Sequence, residues 1–512
     1  MAKKIMIQGT MSNSGKSFLV AALCRIFRQD GYMAAPFKSQ NMALNSFITA
    51  DGFEIGRAQA MQAEAAGIAP TVDMNPILLK PTGRMGSQVI VNGEVYGNLD
   101  AMEYYRLRRG LIPVIQASFR RLEKQYDIIV LEGAGSPAEI NLKDNDIVNM
   151  GMAALVDAPV LLVGDIDRGG VFASLYGTVS LLEREEQARI KGLVINKFRG
   201  DRKILEPGLA MIAERLHIPV VGVIPMEQID LDDEDSLSER LCERGRRPGL
   251  LDIAVIRLPH ISNFTDFNAL ERYPGVSLRY VERADCLQTP DLVILPGTKN
   301  TMADLAWLRA SGLEAALLRL TEEEKTTIIG ICGGYQMMGE RLCDREGFEG
   351  VAGSRMRGMG LLPAETEFTG TKTRTQIRGK LCGLCGDLAA GFDGLSVTGY
   401  EIHMGVTRPS ERAGEAALPF ALLEDGRADG LVRRDGRVMG TYLHGLFDND
   451  AFTRGLIAAL TERKGVSPAM MSEDALPAAE YKERQYDKLA ALVRSSLDMD
   501  KVYRIMGFEE GK

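Results

Sequence analysis

The stretch GTMSNSGKS at residues 9–17 constrains this chain more than any other. It follows an apolar run at residues 4–7 and precedes an amphipathic segment at residues 16–28, so a buried strand must turn sharply into a helix. Glycines in such a turn let backbone N–H groups curl around an anion. Lys16 can reach outer phosphates, and the Ser17 hydroxyl can ligate Mg2+. Gly9, Thr10, Asn13, Ser14, Gly15, Lys16 and Ser17 are therefore the expected nucleotide contacts. Five residues, Thr10 to Ser14, separate Gly9 from the Gly-Lys pair, one more than the usual four.

Apolar runs recur at 126–131 (YDIIVL), 159–164 (PVLLVG), 192–196 (GLVIN) and 219–225 (PVVGVIP), separated by segments of helical periodicity. Continuous rather than alternating apolar runs mark strands buried on both faces, the signature of a parallel α/β sheet. Ligands in such folds lie at the carboxyl ends of the strands. Glu132 ends YDIIVL, which makes it the expected second partner of a magnesium ion held by Ser17; a helix-capping acid is the alternative. Asn196 ends GLVIN and is a candidate reader of an adenine edge, although asparagine after a strand also starts turns. Asp165, Asp167 and Arg168 follow PVLLVG. Arg168 there could meet a substrate carboxylate or make a surface ion pair.

The chain's 512 residues exceed one ordinary core, so the expectation is several domains. Residues 1–230 form the phosphate-loop half, and the acidic, then Gly/Pro-containing stretch 231–250 reads as a linker. A second α/β series spans 251–450, with strands at 252–257, 291–296 and 327–331 and a more antiparallel pattern after Cys332 up to 438–443. Residues 451–512 read as a helical appendage. The net charge of −8, without a long basic block, argues against nucleic-acid or membrane partners. No apolar stretch approaches membrane-spanning length, and seven scattered cysteines do not form a disulfide framework, so a cytoplasmic protein is expected. Cys382 and Cys385 make a lone CxxC, read as two reduced thiols in a loop.

In TIIGICGGYQ, residues 327–336, an apolar strand runs into Cys332 and glycines follow at once. This is the pattern of a nucleophile elbow, where small neighbours allow strained dihedrals and expose one side chain. The start of a helix beside the sulfur favours the thiolate, and the N–H of Gly333 points where an oxyanion would form. A base is then needed, and the chain has four histidines. His444 ends an apolar strand about 110 residues after the cysteine, the placement of the base in class I glutamine amidotransferases, and is preferred to His403, which could shape the same pocket. Those enzymes carry a glutamate two residues after the histidine; here that position is Leu446. Glu401 is the candidate for the missing acid, the alternative being a dyad.

The five-residue spacer resembles that of dethiobiotin-synthetase-like NTPases. Together with EGAGSPAEINL (132–142), LPGTKNT (295–301), GICGGYQ (330–336), GYEIHMG (399–405) and GTYLHGLF (440–447), it makes nearly the whole chain similar to the cobyric acid synthases of cobalamin biosynthesis. FKSQNM at 37–42 and DGFEIGR at 51–57 favour that family over the related cobyrinic acid a,c-diamide synthases, and the cysteine elbow over a ParA-like nucleotide switch. The resemblance implies an N-terminal P-loop parallel-sheet NTPase domain, a C-terminal α/β class I-like glutamine amidotransferase domain and a helical appendage. It implies L-glutamine, ATP, Mg2+ and a corrinoid substrate whose own cobalt needs no protein ligand. The implied activity is amidation of the b, d, e and g carboxylates of adenosylcobyrinic acid a,c-diamide. Cys332 and His444 would be catalytic, with N–H groups near Gly297 and Gly333 holding the oxyanion. Asp146, with Asp165 and Arg168, would border the substrate carboxylate, a solvated loop aspartate being the other reading of Asp146.

Overall fold

The computed structural model describes all residues except 1, 83–85, 233–248, 324–325, 387–391, 412, 467–475 and 510–512. The expected linker therefore falls largely outside the described residues. The chain divides into two compact units: Met1–Ala43, Phe53–Glu234 and Ala479–Lys512 form the first, and Leu44–Gly52 with Asp235–Ala478 the second.

The first unit is built on a six-stranded sheet in which every recorded pairing is parallel. Its order is Val220–Pro225, Ile190–Phe198, Val160–Asp165, Lys3–Gly9, Ile128–Glu132, Ala34–Phe37. Ile128–Glu132 and Val160–Asp165 are buried along their whole length, as their unbroken apolar composition requires. Lys3–Gly9 lies between these two, where the winding direction of the sheet reverses, so Gly9 opens into the crevice that such folds use for ligands. A smaller sheet not anticipated from the sequence joins Gln40–Met42, Ile77–Pro81, Gly86–Val91 and Glu94–Asp100.

The second unit begins with parallel strands ordered Val276–Val281, Leu251–Ile256, Leu292–Leu295, Thr327–Ile331 and Val438–Thr441. Antiparallel strands Ala428–Arg433 and Ala417–Leu423 extend this sheet, and a long hairpin, Ala364–Leu381 with Ser396–Pro409, continues it. The stretch expected as one helical appendage is divided. Helix Asp450–Arg463 packs on the core of the second unit through Phe452, Leu456, Ile457 and Leu460. Helix Ala478–Ser496 instead sends Tyr486, Leu489, Ala490 and Val493 into the core of the first unit, beside Ile5, Ile7 and Leu23. No described helix is long and apolar enough to cross a membrane.

Candidate active sites

In the first unit two glycines of the phosphate loop lie close against neighbouring side chains. A Cβ on Gly9 would stand 2.1 Å from Ser14 Oγ, and one on Gly15, whose φ is +91°, 2.1 Å from Asn196 Nδ2. The left-handed backbone at Gly15 calls for glycine, and a Cβ at Gly9 would displace the Ser14 hydroxyl. Lys16 lies along the loop, its Nζ donating to the carbonyls of Met11 (2.9 Å) and Gly135 (3.2 Å). Thr10 Oγ1 and Ser14 Oγ are buried without a hydrogen-bond partner among the described residues. Orphaned hydroxyls in a loop of this kind fit an absent anion, since burying them unsatisfied is otherwise costly.

Ser17 Oγ donates to Glu132 Oε1 at 2.8 Å. Two neighbouring ligands of an octahedral magnesium at its usual bond length stand about 2.9 Å apart, so this pair fits one coordination sphere. Two further residues, not singled out from the sequence, converge on the same carboxylate. Lys38 Nζ lies 2.9 Å from Oε1, with both partners buried, and Gln62 Nε2 donates to Oε2 at 2.6 Å. Lys38 sits in the FKSQNM motif, and its short distance in sequence from the strand Ala34–Phe37 was the available signal.

Asn196 Nδ2 donates to Ser14 O at 2.8 Å, so part of the amide expected to read adenine is committed to holding the loop. Asp165 is buried and pairs with Lys197 at 2.8 Å, and Lys197 also donates to Asn13 O. Arg168 is exposed, 4.0 Å from Asp165, while Asp167 pairs with Arg199. Asp146 is not a solvated loop aspartate: its carboxylate accepts from the N–H groups of Val148, Asn149 and Gly151 and shapes the entry to helix Met150–Val156.

In the second unit Cys332 adopts φ +52°, ψ −109°, between strand Thr327–Ile331 and the short helix Gly333–Met338. A non-glycine residue held there is strained, as in a nucleophile elbow. The glycines make the turn possible: a Cβ on Gly334 would lie 2.0 Å from Leu295 O, and one on Gly333 2.7 Å from Thr298 Cγ2. Gly333 heads the helix, where first-turn N–H groups lack intrahelical acceptors. Gly297 lies against the base, since a Cβ there would be 3.3 Å from His444 Cε1.

His444 is fully enclosed, with Nδ1 2.7 Å from Asp266 Oδ2. Its Nε2 has no hydrogen-bond partner among the described residues, and the Cys332 thiol donates to Ile402 O at 3.5 Å. Burial by itself would lower the proton affinity of His444, but the Asp266 carboxylate and the neighbouring Cys332 sulfur outweigh it and push the pKa up to about 10. The carboxylate that meets His444 is thus that of Asp266, and the Glu401 expected there lies elsewhere. Glu401 is buried against the Arg427 guanidinium, 2.9 Å away, and carries no hydrogen bond to His444. Leu446, at the position where class I enzymes place an acid, points into the apolar core. Asp266 lies in the turn Phe264–Phe267, just after the first strand of this unit; its only sequence signal was a carboxylate near a strand's carboxyl end.

His403 stacks on Tyr442 with ring centroids 3.6 Å apart, and its Nδ1 faces Gly405 O at 3.1 Å. Burial, reinforced by the charges of His444 and Arg427 and opposed by the Gly405 carbonyl, pushes its pKa down to about 3, so it stays neutral. Tyr442 and Thr301 hold the Gln336 side chain from both ends, at 3.0 Å each. Cys382 and Cys385 are free thiols, and no cluster of three or more His, Cys, Asp or Glu side chains able to hold a metal occurs among the described residues.

Two family models match. Residues 5–236 match a CobQ/CobB/MinD/ParA nucleotide binding domain, and residues 252–452 a CobB/CobQ-like glutamine amidotransferase domain. Among curated relatives, the cobyric acid synthase of Lachnoclostridium phytofermentans is 57% identical over 522 residues, covering 100% of both chains. That of Ruminiclostridium cellulolyticum is 54% identical, covering 100% of this chain and 99% of its own. That of Yersinia enterocolitica is 53% identical over 98% of each. With a phosphate loop in one unit, a cysteine elbow in the other and full-length similarity at this level, the chain belongs to the cobyric acid synthase family.

Proposed function

We propose that this chain uses ATP and glutamine to amidate the b, d, e and g carboxylates of adenosylcobyrinic acid a,c-diamide, giving adenosylcobyric acid. The observation that carries the reading is the Cys332–His444–Asp266 centre, present in the same chain as a phosphate loop with orphaned hydroxyls. Cys332 gives its thiol proton to His444 and, as the thiolate, attacks the side-chain carbonyl carbon of glutamine. N–H groups at Gly333 and Gly297 receive the oxygen as charge develops on it. His444, held as an imidazolium by Asp266, protonates the departing nitrogen as the C–N bond breaks. It then takes a proton from the water that releases glutamate. The freed ammonia is the nucleophile for the substrate carboxylate.

A carboxylate is a poor electrophile, and ATP with magnesium would supply the phosphoryl group that activates it. Lys16 and the loop N–H groups would hold the phosphates, Ser17 and Glu132 the metal, and the Asn196 oxygen remains for the adenine. Asp146, Asp165 and Arg168 stand as the proposed border of the corrinoid carboxylate. The working domains are taken as residues 1–230 and 251–450, and the free thiols suit a cytoplasmic enzyme. The test supplies the diamide corrin, ATP and glutamine and follows product mass. Four successive replacements of hydroxyl by amino are expected; an unchanged corrin sinks the proposal. Cys332→Ser is expected to abolish the glutamine-driven reaction and to leave the ammonia-driven one.

A further inference from the structure

The segment Leu44–Gly52 lies in the sequence of the nucleotide-binding half, yet by its contacts it belongs to the second unit. The chain leaves the first unit after Ala43 and rejoins it at Phe53. Within the second unit, this segment touches the immediate supports of all three catalytic groups. Phe47 packs against Tyr400 with ring centroids 5.8 Å apart, and Tyr400 Oη donates to Ser46 O at 3.3 Å. Tyr400 also stacks on the His444 imidazole, with ring centroids 5.2 Å apart and planes 16° from parallel. The two residues also exchange backbone hydrogen bonds, Tyr400 N to His444 O and His444 N to Tyr400 O. Ile48 is buried with Tyr400 and Ile402, and Ile402 O accepts the Cys332 thiol. Ser46 N donates to Asn263 Oδ1 at 2.9 Å. Asn263, itself in the left-handed region at φ +52°, accepts from Asp266 N through its carbonyl. The Ile48 carbonyl is in turn held by Gln376 Nε2.

We propose that residues 44–52 are a positioning element for the glutaminase centre, with Phe47 setting the plane of the His444 imidazole through Tyr400; this rests on the glutaminase reading of that centre. A ring pinned at Nδ1 by one carboxylate can still pivot about that bond. The Tyr400 face removes the pivot, and Phe47 and Ser46 keep that face in place. Small errors in the direction of Nε2 cost rate rather than binding, because reactivity depends steeply on the alignment of the reacting atoms.

The test uses the full chain with Phe47→Ala and Phe47→Tyr. Hydrolysis of glutamine to glutamate is measured across pH, with ammonia-driven amidation as the control. Phe47→Ala is expected to lower kcat for hydrolysis roughly ten- to hundredfold. KM for glutamine should stay within about twofold, the basic limb of the profile should move, and ammonia-driven turnover should be unchanged. Phe47→Tyr should restore kcat. An unchanged kcat overturns the proposal, and so does a rise in KM alone or an equal fall in ammonia-driven turnover. A wild-type chain that hydrolyses no glutamine would instead remove the underlying reading.

Discussion

At the scale of single residues, the imidazole of His444 decides how the second unit responds to pH. It is enclosed by protein, which disfavours its charge, yet Asp266 and the Cys332 sulfur hold it protonated up to about pH 10. The acid that protonates the departing amide nitrogen is lost only as pH rises through that value. Replacing Asp266 with Asn removes the carboxylate, destabilises the imidazolium and lowers its pKa. The basic limb of kcat/KM for glutamine hydrolysis is therefore expected at lower pH, with kcat reduced on the order of 10²-fold or more. Glu401→Gln is the contrasting variant: it breaks the ion pair with Arg427 and should leave that limb where it was. Lys38 poses a different residue-scale problem. Its ammonium is buried against Glu132, so Lys38→Met strands a carboxylate inside the protein at a cost of about 3–5 kcal/mol. Adding Glu132→Gln to that variant should recover part of the loss in urea denaturation, because the stranded charge is then gone.

Elements differ in how openly the sequence declares them. Most of the parallel strands were legible because a strand buried on both faces needs an unbroken apolar run, as at residues 128–131 and 160–163, whereas Ala34–Phe37 and Val276–Val281 were not. The two sharp turns were legible because each requires glycine at a fixed place, at Gly15 before Lys16 and at Gly333 and Gly334 after Cys332. The sheet around residues 40–100 was not. Its strand Gln40–Met42 is only three residues long, and Glu94–Asp100 is mostly exposed and offers only Val95 and Leu99 as an alternating apolar signal. The partnership of Asp266 with His444 was hidden for another reason. It joins residues 178 apart through tertiary closure alone, and a local pattern cannot carry that separation. The elbow also yields a test at this scale. Gly334→Ala places a methyl 2.0 Å from the Leu295 carbonyl, a backbone atom that cannot move without shifting a central strand. The expected loss is about 3 kcal/mol, the upper part of the range for overpacking, read from chemical denaturation of the second unit.

For the whole molecule, chain order and structural membership diverge, and this sets which activity a distant change should damage. Helix Ala478–Ser496 follows the glutaminase sequence but completes the core of the nucleotide unit. Leu489, Ala490 and Val493 are buried with Ile5, Ile7 and Val163, and Tyr486 Oη donates to Glu64 at 2.9 Å. The helix rim adds Asp487 and Glu483 to Arg25, and Arg494 to Asp30. Each pair has one solvent-exposed partner and contributes modestly, so the apolar face carries most of the attachment. Leu489→Ala, which opens a cavity under the parallel sheet, should cost about 2–5 kcal/mol. That loss belongs to the unit holding Lys16 and Glu132, although the substitution lies more than a hundred residues beyond Cys332 in the chain. Thermal inactivation of ammonia-driven amidation is therefore expected at lower temperature in the variant, with inactivation of glutamine hydrolysis unmoved. Were both activities to fail together, the helix would be serving the two units alike, and its assignment to the first would not stand.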